Sequence, residues 1–445
     1  MYFTQRYFAH RIMRAIYSFL FCLLLSFPSK LISEERVNCK PPWNLERVSS
    51  CAINQHPSYQ IELVRLNEML GRKKIAEYYF PNNPNISTYL SNRNQQGSQL
   101  GFFPETNHAT NFQIMVSQEI FVAGKREKSI QIADEEFQTQ VLRLNTISRN
   151  IYFLSMASLF RYLNLQNEVY VTSDLYNLSK NLTKLSKARV REGITPGIDE
   201  SLSESEELRM AKIWKQSVRR MEQAKGELQL LLNVATDEEW QWKPKFQLVI
   251  SVPQDKENLI SIAIQNRPEL KVVEKEIKIA VLRSQEVRLQ KIPNPSLGAF
   301  VQNDGFNERV IGGQISFPLT LWRNYEGETM ISKAKEDQSI EFRALTERSV
   351  KQDVINAISN YLNSKEEFEM YDEVMLNRSL SDLNHITEAL QSGKIKVLDA
   401  INNQRILVQT RINYLQTKTE YELAQIELIR ALGLPNEKII ITELP

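Results

Sequence analysis

The chain has 445 residues, 42% hydrophobic and 24% charged, with a formal net charge of +2. That balance supplies neither a basic field for nucleic acid nor an acidic tail. No nucleophile–base constellation, phosphate-binding glycine loop or HExxH motif is present, so nothing points to an enzyme or to a cofactor.

Arg6, Arg11 and Arg14 precede an apolar run from Ala15 to Phe27, with Pro28-Ser29-Lys30 behind it. A basic start and a short apolar core make residues 1–33 a secretory leader, and the run is too short to span a membrane as a helix. An uncleaved anchor is the alternative. Cys22 sits inside the apolar run and not at a cleavage point, which leaves Cys39 and Cys51 flanking Pro41-Pro42-Trp43. In an exported chain this pair is expected to form a disulfide, with both thiols free as the alternative. His10, His56, His108 and His385 are too scattered for a metal centre.

Residues 57–80 follow a helical pattern, which Pro81-Asn82-Asn83-Pro84 ends. Asn85 to Arg93 sets Ile86, Thr88 and Leu90 against Ser87, Tyr89 and Ser91, the period of two of a strand. After a loop rich in Asn, Gln, Gly and Pro, Phe112 to Phe121 alternates again. No proline lies between Pro104 and Pro196, so the next stretch reads as long helix, turning at Gly193. Lys245 to Val252 is a short β-like run between two prolines. Ser296 to Asp304 and Val310 to Phe317 form a second pair of strands about Gly305-Phe306-Asn307. From a turn at Gly393 the chain runs to Gly433 without a proline or another glycine. Leu407, Tyr414, Tyr421 and Leu428 recur there at heptad spacing, a packing stripe. Lys438 to Leu444 ends the chain on another β-like run, and with Lys245 to Val252 it suits a small lateral domain.

The chain repeats itself. At one constant offset Gly193 falls on Gly393, Asp199 on Asp399, Ala224 on Ala424, Glu227 on Glu427 and Leu228 on Leu428. At a second offset Ala52 to Pro57 matches Ala263 to Pro268, and Asn83-Pro84 matches Asn294-Pro295. A tandem duplication follows. The segments are a leader over 1–33, a first repeat over 34–234, a connecting segment over 235–262, a second repeat over 263–434 and an extension over 435–445. Strands are expected over about 85–93 and 112–121 in the first repeat and about 296–304 and 309–318 in the second. The fold class is mainly α with a small β part.

Four strands of this length, apolar on one face and small or polar on the other, suit a transmembrane barrel. In a bilayer no strand edge stays unpaired, and the smallest such barrels have about eight strands, so closure requires pooling strands with other copies of the chain. Two soluble hairpins covering helix ends are the alternative.

At these residues the chain resembles the outer-membrane efflux channel family, the TolC-type exit ducts of Gram-negative bacteria. The resemblance rests on Asn294-Pro295-Ser296-Leu297, on Pro318-Leu319-Thr320-Leu321 with Asn324 and Gly327-Glu328, on Gly393 with Leu398-Asp399, and on Tyr421-Glu422 through Ala431-Leu432-Gly433. Pro318 to Glu328 and the run Ala188 to Gly193 look most like the channels of cobalt–zinc–cadmium-type metal exporters. The resemblance implies a homotrimer in the outer membrane, with one shared twelve-strand barrel and a periplasmic coiled-coil tunnel. It implies a passive duct joined through a periplasmic adaptor to an inner-membrane pump, of the RND type for metal cations. Drugs or secreted proteins are alternative cargo, and a coiled-coil scaffold without a pore is the contrasting reading.

Residue roles follow from the resemblance by position. Gly193, Gly393 and Lys394 match the periplasmic tips that meet the adaptor. Asp199, Asp399 and Asn402 match the region of the pore constriction, where some members carry a second aspartate in place of Asn402 and an arginine in place of Ile395. A ring of aspartates attracts cations, whereas an aspartate in a first helical turn also simply complements the helix dipole.

Overall fold

A computed structural model describes residue 39 and residues 43–93, 109–234, 245–249, 255–303, 308–320, 322–371, 382, 385–386, 388–434 and 440–444. The expected leader, the expected turn at Gly305-Phe306-Asn307 and residues 372–381 lie outside these residues.

The chain opens with α1 (Leu45–Gln55), capped by the Asn44 side chain, which accepts from the Arg47 amide at 2.7 Å. Cys39 and Cys51 are joined by a disulfide that ties the preceding segment, with buried Trp43, to this helix. Pro57 then occupies the first turn of α2 (Pro57–Ala76), where its missing N–H costs nothing. Helix α2 stops short of residue 80, so Tyr78, Tyr79 and Phe80 stand exposed before the first hairpin. That hairpin is β1 (Asn85–Arg93) and β2 (Ala109–Glu119). Helix α3 (Lys125–Arg191) is 67 residues without a proline, roughly 100 Å at 1.5 Å per residue. It turns at Gly193 into α4 (Ile198–Leu232).

Strand β3 (Lys245–Val249) leads to α5 (Lys256–Asn266), capped by Asp255. This helix begins inside the expected connecting segment, because Asp255 offers its amides the same kind of cap that Asn44 offers α1. Then the first order recurs: α6 (Pro268–Gln290), β4 (Ser296–Asn303), β5 (Arg309–Ser316), α7 (Glu326–Glu369), the turn at Gly393, and α8 (Val397–Leu432). The chain ends on β6 (Ile440–Leu444), antiparallel to β3 with Leu248 opposite Ile441.

The two hairpins join in one antiparallel sheet of order β1-β2-β4-β5. Beneath it the helices pack in the matching order, α2 on α3, α3 on α6, α6 on α7. Each strand thus continues into the helix below it. The ladder leaves α2 and β1 at one margin and α7 and β5 at the other.

The core runs the length of α8. Leu428, Ala424 and Ala431 pack against Leu259, Leu270, Val354 and Tyr361 from α5, α6 and α7. The heptad residues Tyr414 and Tyr421 face α7, where Tyr361 and Phe368 stack with them, and Tyr371 just past its end meets Tyr414 edge-on. A second set of apolar residues on α8 faces the first copy. Val408, Ile412 and Leu415 meet Val171, Leu175 and Met210, and Ile426 and Ile429 meet Phe153, Met156 and Phe160. Helix α8 therefore carries two seams, and the heptad residues Leu407 and Tyr414 also touch the second.

At the lower end of that second seam sits a buried ion cluster. Glu206 of α4, only 1% exposed, accepts from Arg209 on its own helix and from Arg405 Nε of α8 at 2.7 Å. At the upper end, the Arg149 guanidinium donates to the carbonyls of Ile429 and Arg430, satisfying the last turn of α8. Burial pushes Arg149 down to about 10. Gly433 follows in the left-handed conformation (φ 71°), and a β-carbon there would come within 2.9 Å of the Arg267 amide nitrogen.

Candidate functional site

The sheet has two chemically distinct faces. Residues opposite one another across antiparallel strands share a face. The register therefore gathers Ile86, Leu90, Phe112, Ile114, Val116, Leu297, Val301, Ile311 and Ile315 on one side. Ile311 is 80% exposed and Leu90 71%, so this apolar side has no cover among the described residues. The opposite side carries Ser87, Ser91, Asn111, Gln113, Ser117, Ser296, Gln302, Gln314 and Ser316, with Gly298 and Gly312. A soluble sheet buries its apolar face; here that face is the open one. Strands β1 and β5 each lack a neighbour on their outer side among the described residues.

Where sheet meets helices, a polar knot fixes the join. The Glu119 carboxylate accepts from Asn82 Nδ2 at 2.6 Å and from Asn294 Nδ2 at 2.8 Å. The Lys125 ammonium donates to Asn294 Oδ1 at 2.8 Å and to the Ile292 carbonyl, and burial lowers its pKa. The Ile120 amide donates to the Pro295 carbonyl at 2.9 Å. Both asparagine–proline corners thus close on one carboxylate at the end of β2.

At the far end of the helices the two tips are built alike. Gly193 (φ 72°) and Gly393 (φ 74°) are left-handed. Ile194 donates back to the Arg189 carbonyl and Gly193 to that of Val190; Lys394 and Gly393 do the same to Ala389 and Leu390. These are paired Schellman closures, which glycine permits without strain. Arg189 also donates to the Leu390 carbonyl, stitching the first tip to the second. Leu182, Leu390, Val397, Ala400 and Ile401 form the apolar plug behind both.

The comparisons bear on these features. Residues 259–434 match the family model for outer membrane efflux proteins. A membrane protein from Pseudomonas aeruginosa superposes with a TM-score of 0.69 at 16% identity, over 87% of this chain and 93% of that one. The CusC channel gives 0.69 at 12% identity, over 92% and 98%. The open-state MtrE outer membrane channel of Neisseria gonorrhoeae gives 0.67 at 15% identity, over 87% and 88%. No curated protein matches the chain by sequence.

Residues 259–434 thus resemble an outer membrane efflux protein domain. The whole described chain has the fold of these channels: mainly helical, with one small antiparallel four-stranded sheet.

Within this channel fold the expected tip and constriction residues fall at the end opposite the sheet. Lys394, Asp399 and Asn402 are exposed, the latter two on one face of α8, three residues apart. Asp199 is half-buried in the first turn of α4, and its carbonyl accepts from the Ser186 hydroxyl at 3.0 Å. Neither aspartate's side chain is the cap of its helix. Among the described residues no three His, Cys, Asp or Glu side chains cluster as a metal site. Among them, too, no helix is long and apolar enough to cross a membrane, which says nothing against the strands. The sequence reading missed the Glu206–Arg405 link and the knot of Glu119 and Lys125 on Asn294. Both join residues of different copies, and no local pattern announces such a pair.

Proposed function

We propose that the chain is the outer-membrane exit duct of an efflux system, closing its barrel by sharing strands among three copies. One observation carries this reading: a four-stranded sheet whose apolar face is uncovered and whose two edges are open. Such a sheet is stable in a bilayer only when closed, with the apolar face to lipid and the polar face to a water-filled lumen. The helix ladder supports the same closure, since its open margins, α2 and α7, follow the open strands β1 and β5. Exposed Ile61, Val64 and Ile75 on α2, and Met330, Phe342 and Leu345 on α7, suit burial against a second copy. The exposed aromatic residues Tyr78, Tyr79, Phe80, Phe317 and Trp322 all flank the helix-side ends of the edge strands, where a membrane interface favours such rings.

The tips would meet a periplasmic adaptor that couples the duct to an inner-membrane pump of the RND type. Gly193, Gly393 and Lys394 would serve at that contact, and Asp199, Asp399 and Asn402 at the mouth. The duct itself is passive. Metal cations are the proposed cargo, on the local likeness of Pro318 to Glu328 and Ala188 to Gly193 to metal-exporter channels; drugs or proteins would suit the same bore.

The deciding measurement is the mass of the protein extracted by detergent from the outer-membrane fraction, by light scattering corrected for bound detergent. A mass of three mature chains is expected. A monomer recovered from the soluble periplasmic fraction would remove the duct and leave a scaffold. Cargo is tested separately, by comparing growth of a deletion strain on zinc, cobalt and cadmium salts with growth on hydrophobic drugs.

A further inference from the structure

We infer that Gly312 sets the bore of the duct by holding the Phe300 ring flat against the barrel wall. The inference rests on the polar face of the sheet being the lumen, as proposed above.

That face is built from Ser, Asn, Gln and Gly, with few large side chains. Its largest are Tyr89, exposed on β1, and Phe300, which stands in the cross-strand row Ser87, Met115, Phe300, Gly312. Phe300 is half-buried, as are Ser296, Gly298 and Gln302 on the same face of β4. The glycine opposite receives its ring. A β-carbon added at Gly312 would lie 2.7 Å from Phe300 Cε1, closer still to Cζ, and 3.2 Å from Cε2. Three atoms on the far side of the ring meet that one point, so the ring lies down over the glycine and does not stand into the lumen.

Any side chain at position 312 must lift it. The clashing atoms are the outer end of a side chain that turns about two bonds, so the ring yields and the backbone need not. The lumen is narrow enough for this to matter. Twelve strands about 4.8 Å apart and tilted by about 40° enclose a ring roughly 24 Å across between backbones. Inward side chains fill an eight-stranded barrel altogether. Three raised rings, one per copy, would obstruct a twelve-stranded one.

A purely structural role makes the opposite prediction. If Phe300 merely shields a glycine on an edge strand, removing both should weaken the sheet and restore nothing. The two roles separate as follows. Ser117→Cys places a thiol on the polar face, one cross-strand row nearer the helices than Phe300. Cells carrying it are treated with a graded series of membrane-impermeant maleimides, and the largest that labels position 117 from outside defines the cut-off. Gly312→Val should lower the cut-off severalfold in reagent mass while the detergent-extracted trimer keeps its mass. Adding Phe300→Ser to Gly312→Val should restore it. Phe300→Ser alone should leave it nearly unchanged, because the ring already lies aside; that variant tests the idea even where Gly312→Val fails to assemble. An unchanged cut-off in Gly312→Val, no rescue by the double variant, or a wider cut-off in Phe300→Ser would each overturn the inference. Failure of even the smallest reagent to label Ser117→Cys in the parent would instead sink the lumen assignment itself.

Discussion

Three left-handed glycines end helices here, and their surroundings rank them. Gly193 and Gly393 face open space or only the tips of the Arg189 guanidinium, so alanine at either meets backbone strain of about 1–2 kcal/mol and little else. Gly433 faces the backbone at Asn266 and Arg267. Gly433→Ala should therefore cost more than either tip variant, lowering the melting temperature of detergent-solubilised protein by several degrees further. A second contrast concerns Glu422, buried between α8 and α3, where Asn164 Nδ2 donates to it at 2.6 Å. Burial raises its pKa against the opposing pull of Asn164 and Lys418. A carboxyl raised on folding lends stability that is full below its unfolded value, about 4.3, and is lost as pH rises through the folded one. Glu422→Gln should thus raise the melting temperature at neutral pH, by about 1 kcal/mol of stability, and give no gain near pH 4. Equal gains at both pH values would show that charge burial is not the cost.

At the scale of elements, α8 is held on two sides, and its first-copy side has a charged anchor. Arg405 and Arg209 together neutralise Glu206, which is nearly inaccessible to solvent. Replacing both arginines by alanine should destabilise the seam by about 3–5 kcal/mol, and Glu206→Gln in that background should recover much of it, as a buried charge left unpaired is the main cost. Ile412→Ala, in the same seam, should cost about 2–5 kcal/mol in denaturant titrations. How far such features were readable beforehand depends on range. Breakers are local, so Gly193, Gly393 and the proline-free spans disclosed the long helices. Alternation is local too, and it placed β1 from Asn85 to Arg93. Strand β2 begins three residues earlier than its alternation suggests, at Ala109, because pairing with Asn92 and Arg93 extends the ladder through Asn and Thr that carry no apolar signal. The second seam of α8 was illegible for another reason: Val408, Ile412 and Leu415 are chosen by partners on α3 and α4, some two hundred positions away. The sheet's candidate bore residues escaped notice likewise, since Gly312 and Phe300 meet only across strands.

At the scale of the molecule, assembly and transport should be separable. Barrel and helix margins lie far from the tips, so Gly393→Pro or a bulky insertion at Gly193 should leave the trimer mass intact while abolishing export in cells. Loss of the trimer in either variant would mean that the assembly surface reaches the tips. The matched order of strands and helices carries a further meaning. The join between β2 and β4 inside one chain and the join expected between β5 and a neighbour's β1 connect the same kinds of strand in the same sense. A ring of three such chains has threefold symmetry but a wall of six near-equal wedges, as though a hexamer of half-length subunits had been fused in pairs. Fusion frees alternate wedges to diverge. A hexamer must repeat every side chain six times, whereas here Glu206 can meet Arg405 while the matching position of the second copy is Ile406. The duplicated chain can therefore evolve one wedge toward holding the wall together and the other toward whatever passes along it.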